Sequence, residues 1–512
     1  MSGSDNKRVA KNTLILYIRM FITMGIGMWT SRLVLNGLGF TDQGVYNVVA
    51  GFVGFSGLIT ASLMGSISRF ITFSIGTGNV EEVNKAICNS VTIQWILAGI
   101  LMLFGESLGL WFVNNKLVIP ADRMFAANIA YQLALINIAV GIISSTQNAI
   151  ILAYEKMGLY AKVAIINSIL SFCIGWIIYY SNVDNLILYS SLQCLIVIGI
   201  RVFYIYYIHH TFSFIQIRYA FNRDIFKPIF AFAGWNSIGS CASVLRNSGT
   251  SVLLNVFGGP LANTINGIAN SANSLATIFI RDFTTAYNPQ IIKKYAKKEF
   301  EDLNIFLYRC SKFTFCLLAI IAVPVIVNAG PLLTLWLKKI PEGTIIFARL
   351  IILCSMVDSF SQPLITAKNA TGNIRTYQLV VGGACLLALP LSYLFLKLGL
   401  PIYFAYIGIM VSCICAFLCR MYMLNGDLPL WNSIQYLRKV IIPCTIMFIL
   451  GLGIQMSLNL VLPHSNFYII LQCVIGVCAC TSLVYFFVCS KNERTYINSV
   501  IKSKLNLRIN GF

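Results

Sequence analysis

Apolar runs of 20 or more residues recur along the whole chain, separated by short polar segments. Each run is long enough to cross the hydrocarbon core of a bilayer, about 30 Å thick, as a helix. The pattern predicts an all-α integral membrane protein with about fourteen transmembrane helices. Their approximate bounds are 13–35, 45–67, 87–113, 124–150, 158–181, 186–208, 228–256, 262–287, 309–336, 345–367, 375–397, 402–422, 436–460 and 466–489.

The first and second halves of the chain resemble each other in sequence. Four pairs of segments match in the same order and at a similar offset. They are "VLNGLGFTDQGVYNVVA" (34–50) with "LLNVFGGPLANTINGIA" (253–269), "EEVNKAI" (81–87) with "EDLNIFL" (301–307), "LGLWF" (108–112) with "LTLWL" (333–337), and "AYEKMGLYAKV" (153–163) with "ATGNIRTYQLV" (370–380). Parallel repeats around a central site are typical of transporters.

This internal repeat predicts the domain organisation. Residues 1–215 form an N-terminal six-helix lobe, and residues 216–430 form a C-terminal six-helix lobe in the same orientation. Residues 431–512 add helices 13 and 14 and a cytoplasmic tail outside the repeat.

Charge sets the expected orientation. Only 11% of the residues are charged, against about 25% in soluble domains, yet the net charge is +20. We do not read this excess as nucleic-acid binding, because it lies in short loops on one side of the predicted spans. The other side has only Lys116, Arg123, Lys338, Lys339 and Lys397. The bias places both termini in the cytoplasm. The first apolar segment is too long for a cleavable signal.

Residues suited to enzymatic or metal chemistry do not cluster. The sixteen cysteines are scattered, mostly within spans, and the three histidines, His209, His210 and His464, fall at span ends. The sequence has no phosphate-binding glycine loop. We therefore expect no catalytic residue, metal or cofactor, and no nucleotide-hydrolysing domain.

Polar residues on two predicted spans follow helical spacing. Helix 8 carries Asn263, Asn266, Asn270, Asn273, Ser274, Thr277, Arg281 and Thr285, and helix 7 carries Asn236, Ser240, Ser243, Arg246 or Asn247, and Thr250. Steps of three and four place each set on one helix face. Because lipid offers no hydrogen bonds, such a face should meet protein or a water-filled cavity.

Arg246 lies near the middle of a span, where a charge is costly. One interpretation places it in a hydrated cavity between the halves. The alternative is an arginine that neutralises an intramembrane acid such as Asp358 or Glu106 for packing alone. By the repeat, helices 1 and 2 would line the same cavity, which then contains mostly arginine and should bind an anion. Arginine binds phosphate through paired hydrogen bonds, so a diphosphate is the expected ligand.

The predicted substrate-binding residues are Arg19, Arg32, Arg246, Arg281, Asn266, Asn270, Asn273 and Asn247. Asp358 and Asp282 are the predicted ion-coupling residues. Asp358 is also open to interpretation as a buried partner for a serine, without a coupling role. Arg281 and Asp282 are also open to interpretation as an interfacial pair at a helix end.

The loop 288–306 places Ile291, Ile292, Tyr295 and Leu303 roughly on one side and lysines on the other. It predicts an amphipathic helix on the cytoplasmic leaflet. A solvated charged loop that only sets topology is the alternative.

The chain resembles the multidrug/oligosaccharidyl-lipid/polysaccharide (MOP) exporter superfamily, and within it the Wzx-type polysaccharide-unit flippases of O-antigen and capsule. The resemblance covers essentially the whole chain. It depends on "KNTLILYIRMFITMGIGMWTSRLVLNGLG", "GVYNVVAGF", "TINGIANSANSL" and the "LWF" and "LWL" ends of helices 3 and 9.

The resemblance implies a MATE-like fold with two lobes and a cavity lined by helices 1, 2, 7 and 8. It also implies a flippase in the bacterial inner membrane that moves undecaprenyl-diphosphate-linked oligosaccharide from the cytoplasmic to the periplasmic leaflet by alternating access. The lipid-linked oligosaccharide, membrane lipids and other polysaccharide-assembly proteins are the implied partners.

Two other classes of function stay open. A cation-coupled drug exporter of the same fold should carry acids in its cavity, where this sequence has mostly arginine. A membrane polymerase or glycosyltransferase needs acids or large outer loops near its chemistry, and the predicted outer loops are short.

Overall fold

The computed structural model describes residues 2–54, 57–115, 119–212, 214–215, 218, 222–337, 340–463, 465–491, 493–495 and 498. Across these residues the secondary structure is helical, with no strand. The prediction of an all-α protein is confirmed. Lys116, Lys338, Lys339 and His464 lie outside the described residues.

Seventeen α-helices form the described part of the chain. They are α1 (Ser2–Gly54), α2 (Gly57–Thr77), α3 (Val80–Phe104), α4 (Leu110–Asn115), α5 (Met124–Ala153), α6 (Met157–Tyr180), α7 (Asn185–Thr211), α8 (Arg223–Ala296), α9 (Phe300–Val327), α10 (Ala329–Leu337), α11 (Thr344–Thr371), α12 (Arg375–Leu386), α13 (Ala388–Lys397), α14 (Phe404–Asp427), α15 (Ser433–Tyr436), α16 (Ile442–Val461) and α17 (Asn466–Leu483). Short π-helical turns connect α3 to α4 and α15 to α16.

Each of the two longest helices consists of two helical parts joined at a glycine. In α1 the junction is Gly39, with φ 74°, and in α8 it is Gly259, with φ 67°. Positive φ is accessible to glycine without the steric penalty that a Cβ brings. The two glycines are 220 residues apart, within the range of offsets of the sequence repeat.

Eleven helices in the described part are long and apolar enough to cross a membrane. The chain is therefore an integral, multi-pass membrane protein. Three predicted spans, 45–67, 228–256 and 262–287, are not among the eleven, although their described residues are helical. The last two contain the polar faces of α8, and polar side chains lower the mean hydropathy of a span.

The described chain divides into two compact units. Unit 1 comprises Met1–Cys241, Thr285–Glu299 and Asn369–Gln378, and unit 2 comprises Ala242–Thr284, Phe300–Lys368 and Leu379–Phe512. Unit 1 thus includes two segments from the second half of the sequence. These units follow contacts in space, whereas the predicted domains follow the repeat, so the domain boundaries stay a prediction.

Each unit buries its own apolar side chains. In unit 1 one core gathers side chains from α2, α3, α5 and α7, among them Ile71, Ile87, Ile150 and Ile208. In unit 2 one core joins α8, α11 and α14. Large apolar side chains such as Leu103 and Leu460 are exposed, as expected for helices whose outer surfaces meet lipid rather than water.

The segment 288–306 differs from both sequence interpretations. Helix α8 continues without a break to Ala296, and α9 begins at Phe300. Ile291, Ile292 and Leu303 are buried, so the segment is neither a separate surface helix nor a solvated loop. From Gly259 to Ala296, at about 1.5 Å per residue, the helix runs about 55 Å, longer than a bilayer core of about 30 Å. Its last turns therefore extend beyond the membrane.

Candidate functional site

Amide and hydroxyl side chains of α8 form a hydrogen-bonded network in unit 2. Asn270 Nδ2 donates to Asn266 Oδ1 at 2.7 Å, and Asn266 Nδ2 donates to Ser251 Oγ at 3.2 Å. Tyr406 of α14 donates its hydroxyl to Asn266 Oδ1. The periodicity of three and four residues predicted this shared face. The network fixes the asparagine side chains on it and satisfies polar groups at membrane depth.

Two further residues of the predicted face are less constrained. Asn273 is half-buried, and its Oδ1 accepts no hydrogen bond within the described residues. Asn247, one position after Arg246, is exposed. The exposed amide of Asn247 is open to contacts such as those with sugar hydroxyls, whereas the Asn273 oxygen is a buried acceptor without a partner in the described part. The side chain of Asn263 lies outside those that the structure describes.

Arg246 is paired with the acid of α11 that the sequence suggested. Its Nη2 lies 3.5 Å from Asp358 Oδ2, and its Nη1 donates to Cys413 Sγ at 3.3 Å. The second candidate acid, Glu106, instead accepts from Gln132 Nε2 at 2.9 Å. The neutralising partner foreseen as an alternative is thus present, and it is Asp358.

The ion pair leaves part of the guanidinium without a strong partner. The 3.5 Å separation is longer than a charge-assisted hydrogen bond, which is about 2.7–2.9 Å. The Arg246 side chain is 15% exposed and that of Asp358 is 29% exposed. Arg246 Nε is buried and has no acceptor within the described part. A better anion would therefore gain hydrogen bonds that Asp358 does not make.

Arg281 and Asp282 are not a pair at a helix end. Arg281 is exposed, whereas Asp282 is 2% exposed. Consecutive residues on a helix do not share a face, and α8 extends about four turns beyond them to Ala296. The structure separates the two side chains by burial, with the acid inside.

Arg19 and Arg32 belong to α1 in unit 1. The Arg19 guanidinium lies 5.2 Å from the ring centroid of Tyr160, a cation–π contact, and Arg32 is exposed. Thirteen residues of helix place the two side chains about 20 Å apart along the axis and on different faces. One ligand group therefore does not touch both residues on a straight α1, and Arg19 and Arg32 stay separate predictions.

A polar pocket that the sequence interpretation missed lies in unit 1. It has a volume of about 320 Å³, and α1, α6 and α7 line it with Gly27, Thr30, Ser31, Val34, Asn167, Ser168, Ser171 and Tyr189. Ser168 and Thr30 donate to carbonyls of their own helices. The signal in the sequence was the spacing of Asn167, Ser168 and Ser171 within an otherwise apolar span.

No group of three or more potential metal ligands from histidine, cysteine and acidic residues occurs in the part of the chain that the structure describes. The polar side chains of the candidate site carry guanidinium, amide, hydroxyl and carboxylate groups. Such groups bind anions and polyols through charge and hydrogen bonds.

One curated relative matches part of the chain. A Shigella flexneri protein named "Putative O-antigen transporter" is 27% identical over 215 residues, which are 40% of this chain and 48% of that protein. The match therefore spans about half the length of this relative. No protein-family model matches the chain.

Solved structures with the same fold are transporters of the MOP superfamily. An outward-facing multidrug-resistance MATE transporter aligns with a TM-score of 0.68 and 16% identity over 82% of this chain and 96% of that one. A Pyrococcus furiosus MOP transporter, described as having a binding pocket of reversed polarity, aligns with a TM-score of 0.63 and 16% identity over 82% and 96%. A Vibrio cholerae MATE transporter aligns with a TM-score of 0.67 and 16% identity over 83% and 98%. The predicted MATE-like fold is confirmed, as is the resemblance to O-antigen and MOP transporters.

Proposed function

We propose that the protein is a flippase that moves an undecaprenyl-diphosphate-linked oligosaccharide from the cytoplasmic to the periplasmic leaflet of the bacterial inner membrane. It acts by alternating access in cell-surface polysaccharide biosynthesis and carries out no enzymatic reaction. The observation that carries the proposal is Arg246, a guanidinium at membrane depth whose hydrogen-bonding capacity is only partly used. The name of the Shigella relative supports the class of cargo.

Arg246 would exchange one anion for a stronger one. In this structure Asp358 neutralises the guanidinium at 3.5 Å. A diphosphate offers several oxygens in a geometry that matches the planar guanidinium, so it forms shorter, paired hydrogen bonds. The cargo then supplies the charge compensation that Asp358 supplies without it, and Arg246 stays neutralised in both situations.

Neutral polar groups would bind the glycan. Asn247 and Asn273 in unit 2, and Asn167 and Ser171 in the unit 1 pocket, present amides and a hydroxyl that suit sugar hydroxyls. Single neutral hydrogen bonds each contribute only about 0.5–1.5 kcal/mol. Such contacts hold a headgroup without trapping it, which a transporter requires. Other polysaccharide-assembly proteins are proposed partners.

A cation-coupled exporter of the same fold is the second candidate. It is favoured by Asp358, a partly exposed acid beside the polar face of α8. The same acid fits the flippase if a proton or cation displaces Arg246 from it, and Asp358 and Asp282 remain the predicted coupling residues. Both termini are proposed to lie in the cytoplasm.

Reconstituted proteoliposomes with a fluorescent polyprenyl-diphosphate-linked oligosaccharide test the proposal. We expect Arg246→Ala to lower the flipping rate by about tenfold or more, since a hydrogen bond to a charged group contributes about 1.5–3 kcal/mol. Arg438→Gln is the matched control, because it removes an exposed arginine of the same unit. It should flip at the wild-type rate.

The contrary outcomes are distinct. Equal rates for Arg246→Ala and the wild type would remove the diphosphate site at α8. A wild-type protein that flips no lipid-linked glycan, but drives efflux of a cationic drug, would replace the flippase with the exporter.

A further inference from the structure

A fully buried carboxylate connects three distant segments of unit 1. Glu155 Oε2 lies 2.6 Å from Arg8 Nε, and its Oε1 lies 2.7 Å from Lys293 Nζ. Gln290 Nε2 donates to the same Oε2 at 2.7 Å. The Glu155 side chain has no exposed area. One carboxylate thus joins the start of α1, the turn between α5 and α6, and the last turns of α8.

The backbone of Glu155 is in a conformation that favours glycine. The residue follows the end of α5 with φ 57°. Its N–H donates to the Leu152 carbonyl, and the N–H of Lys156 donates to the Ile151 carbonyl, each at 2.9 Å. This is a Schellman motif with a glutamate at the position where glycine is usual. The left-handed conformation costs a non-glycine residue about 1–2 kcal/mol.

The equivalent turn in the second half of the chain has a glycine at the position of Glu155. The matching segments 153–163 and 370–380 place Gly372 at the position of Glu155. Gly372 has φ 81°, so the two turns share their handedness. The second half uses the unstrained residue. The first half keeps a strained glutamate, and its side chain makes the three contacts described above.

A second residue shows that a left-handed backbone conformation does not by itself require a buried side chain with partners. Lys298 lies two residues after the end of α8, with φ 60° in the same type of turn, and its N–H donates to the Tyr295 carbonyl. Its side chain is exposed. A left-handed lysine is therefore tolerated at a helix end on the surface. What distinguishes Glu155 is that its side chain is buried among donors.

The partners of Glu155 come from both halves of the sequence. Arg8 belongs to the first half, whereas Gln290 and Lys293 belong to Thr285–Glu299, which packs in unit 1. A similar contact between the two halves of the sequence occurs at Asn369–Gln378, the other second-half segment in unit 1. There Arg69 donates to the carbonyls of Asn369 and Ala370, each at 2.9 Å. At this end of unit 1, residues of one half hold segments of the other.

We propose that the contacts of Glu155 with Lys293 and Gln290, called the latch below, break and re-form during transport. In the closed state these contacts hold the end of α8 against the α5–α6 turn. They break when this end of the protein opens to admit the cargo headgroup. The inference rests on the proposed alternating access. Opening separates the carboxylate from Lys293 and leaves that cation to the anionic headgroup that arrives.

The charge and burial of Glu155 and Lys293 make the latch stable when it is closed and still allow it to open. Burial lowers the pKa of Lys293, and the neighbouring Glu155 carboxylate opposes this shift. A buried ion pair offsets its own desolvation cost only while both partners are in place. The latch is therefore held firmly when closed. Water that enters on opening solvates both charges, which limits the penalty of the open state.

Hydrogen–deuterium exchange on the full-length protein in nanodiscs tests the latch without any substrate. In Glu155→Gly we expect the amides of 285–299 to exchange about tenfold faster or more than in the wild type, because the segment loses its buried anchor. Lys298→Gly is the matched control. It relieves the same backbone conformation but removes no buried contact, so the exchange of 285–299 should not rise.

Glu155→Gln separates charge from shape. It keeps an oxygen for Gln290 but removes the charge that holds Arg8 and Lys293, so it should also accelerate exchange. Unchanged exchange in Glu155→Gly and Glu155→Gln would overturn the latch. Equal acceleration in Lys298→Gly would do the same, because loosening of the helix end would then be the cause.

The flipping assay decides whether the contact is a latch or a permanent tie. We expect Glu155→Gly to change the flipping rate by about fivefold or more at equal amounts of folded protein, since closure at this end is weakened. Faster exchange with an unchanged flipping rate would overturn the latch. Failure of the wild type to flip would overturn the proposed function, whereas the exchange comparison still decides whether Glu155 anchors α8.

Discussion

Two charge clusters of opposite polarity lie at the two ends of α5. At its start, Arg123 sits between two acids, Asp42 and Asp184. Beyond its end, Glu155 sits between two cations, Arg8 and Lys293. The thirty residues of α5 separate them by about 45 Å. The same chemistry, one ion held by two counterions, is thus used at both ends of unit 1.

The clusters differ in which parts of the chain they join. Asp42 lies just after the kink of α1, and Asp184 caps α7 by accepting from the N–H groups of Leu186 and Ile187. Both belong with Arg123 to the first half of the sequence. The Glu155 cluster includes Lys293 from the second half. A cluster within one repeat has no need to break during transport, whereas one that joins both repeats must break if the repeats separate there.

The largest effect on stability should come from Arg123→Gln. The substitution leaves two half-buried carboxylates facing each other without a cation, so we expect about 2–3 kcal/mol of destabilisation. A lower Tm in detergent would show it, with Arg438→Gln as the exposed control. The folded fraction should still flip lipid. Loss of flipping at full stability would mean that this cluster also moves, and the comparison would fail.

A smaller effect is expected from Gly372→Ala. The new Cβ would lie 2.6 Å from Arg69 Nη2 and would adopt φ 81°, so both the guanidinium contact and the backbone are disturbed. Gly343→Ala is the matched control, because it has φ 89° but nothing within 4 Å of its Cβ. We expect about 1–2 kcal/mol for the strain in both variants, and a further loss only in Gly372→Ala. Equal Tm values would show that the Arg69 contact adds nothing.

The smallest effect concerns pH at Asp184. Burial raises the pKa of this carboxyl, but hydrogen bonds from Arg123 and from the N–H groups of Ile187 and Leu186 outweigh it, so the pKa is lowered. Because its pKa is lower in the folded state, the ionised Asp184 carboxylate stabilises the folded protein at pH values above the unfolded-state pKa of about 3.9. This stabilisation is lost as the pH falls through the folded-state pKa. The Tm of the wild type should therefore fall more steeply below about pH 4 than that of Asp184→Asn.

Asparagine keeps the capping oxygen of Asp184 and removes only its charge. Parallel Tm curves for the two proteins would contradict the role of the charge.

The sequence revealed the polar face of α8 because helical periodicity is local. Asn266 and Asn270 share a network as their spacing predicts. The sequence indicated both Asp358 and Glu106 as candidate partners of Arg246. It did not distinguish between these two acids, since the actual pairing depends on the distance between α8 and α11. Asn167 and Ser171 were overlooked because two polar residues in an apolar span fit packing equally well.

Glu155 was missed for a different reason. In the sequence it is one charge in a short loop, and Lys293 is one of several lysines that set topology. Residues 288–306 have the pattern of a surface helix, yet Ile291 and Ile292 are buried. An apolar side chain that faces lipid and one that faces protein look identical in a sequence, so burial at this end was not predictable.

By itself the sequence determined the helices, the repeat and the polar faces, because bilayer thickness and helical periodicity impose these patterns residue by residue. Tertiary structure alone decided which charges meet: Arg246 with Asp358, Arg123 with two acids, and Glu155 with Arg8 and Lys293. Electrostatic pairing depends on distances of a few ångströms between segments that lie far apart in the chain, and no local pattern records those distances.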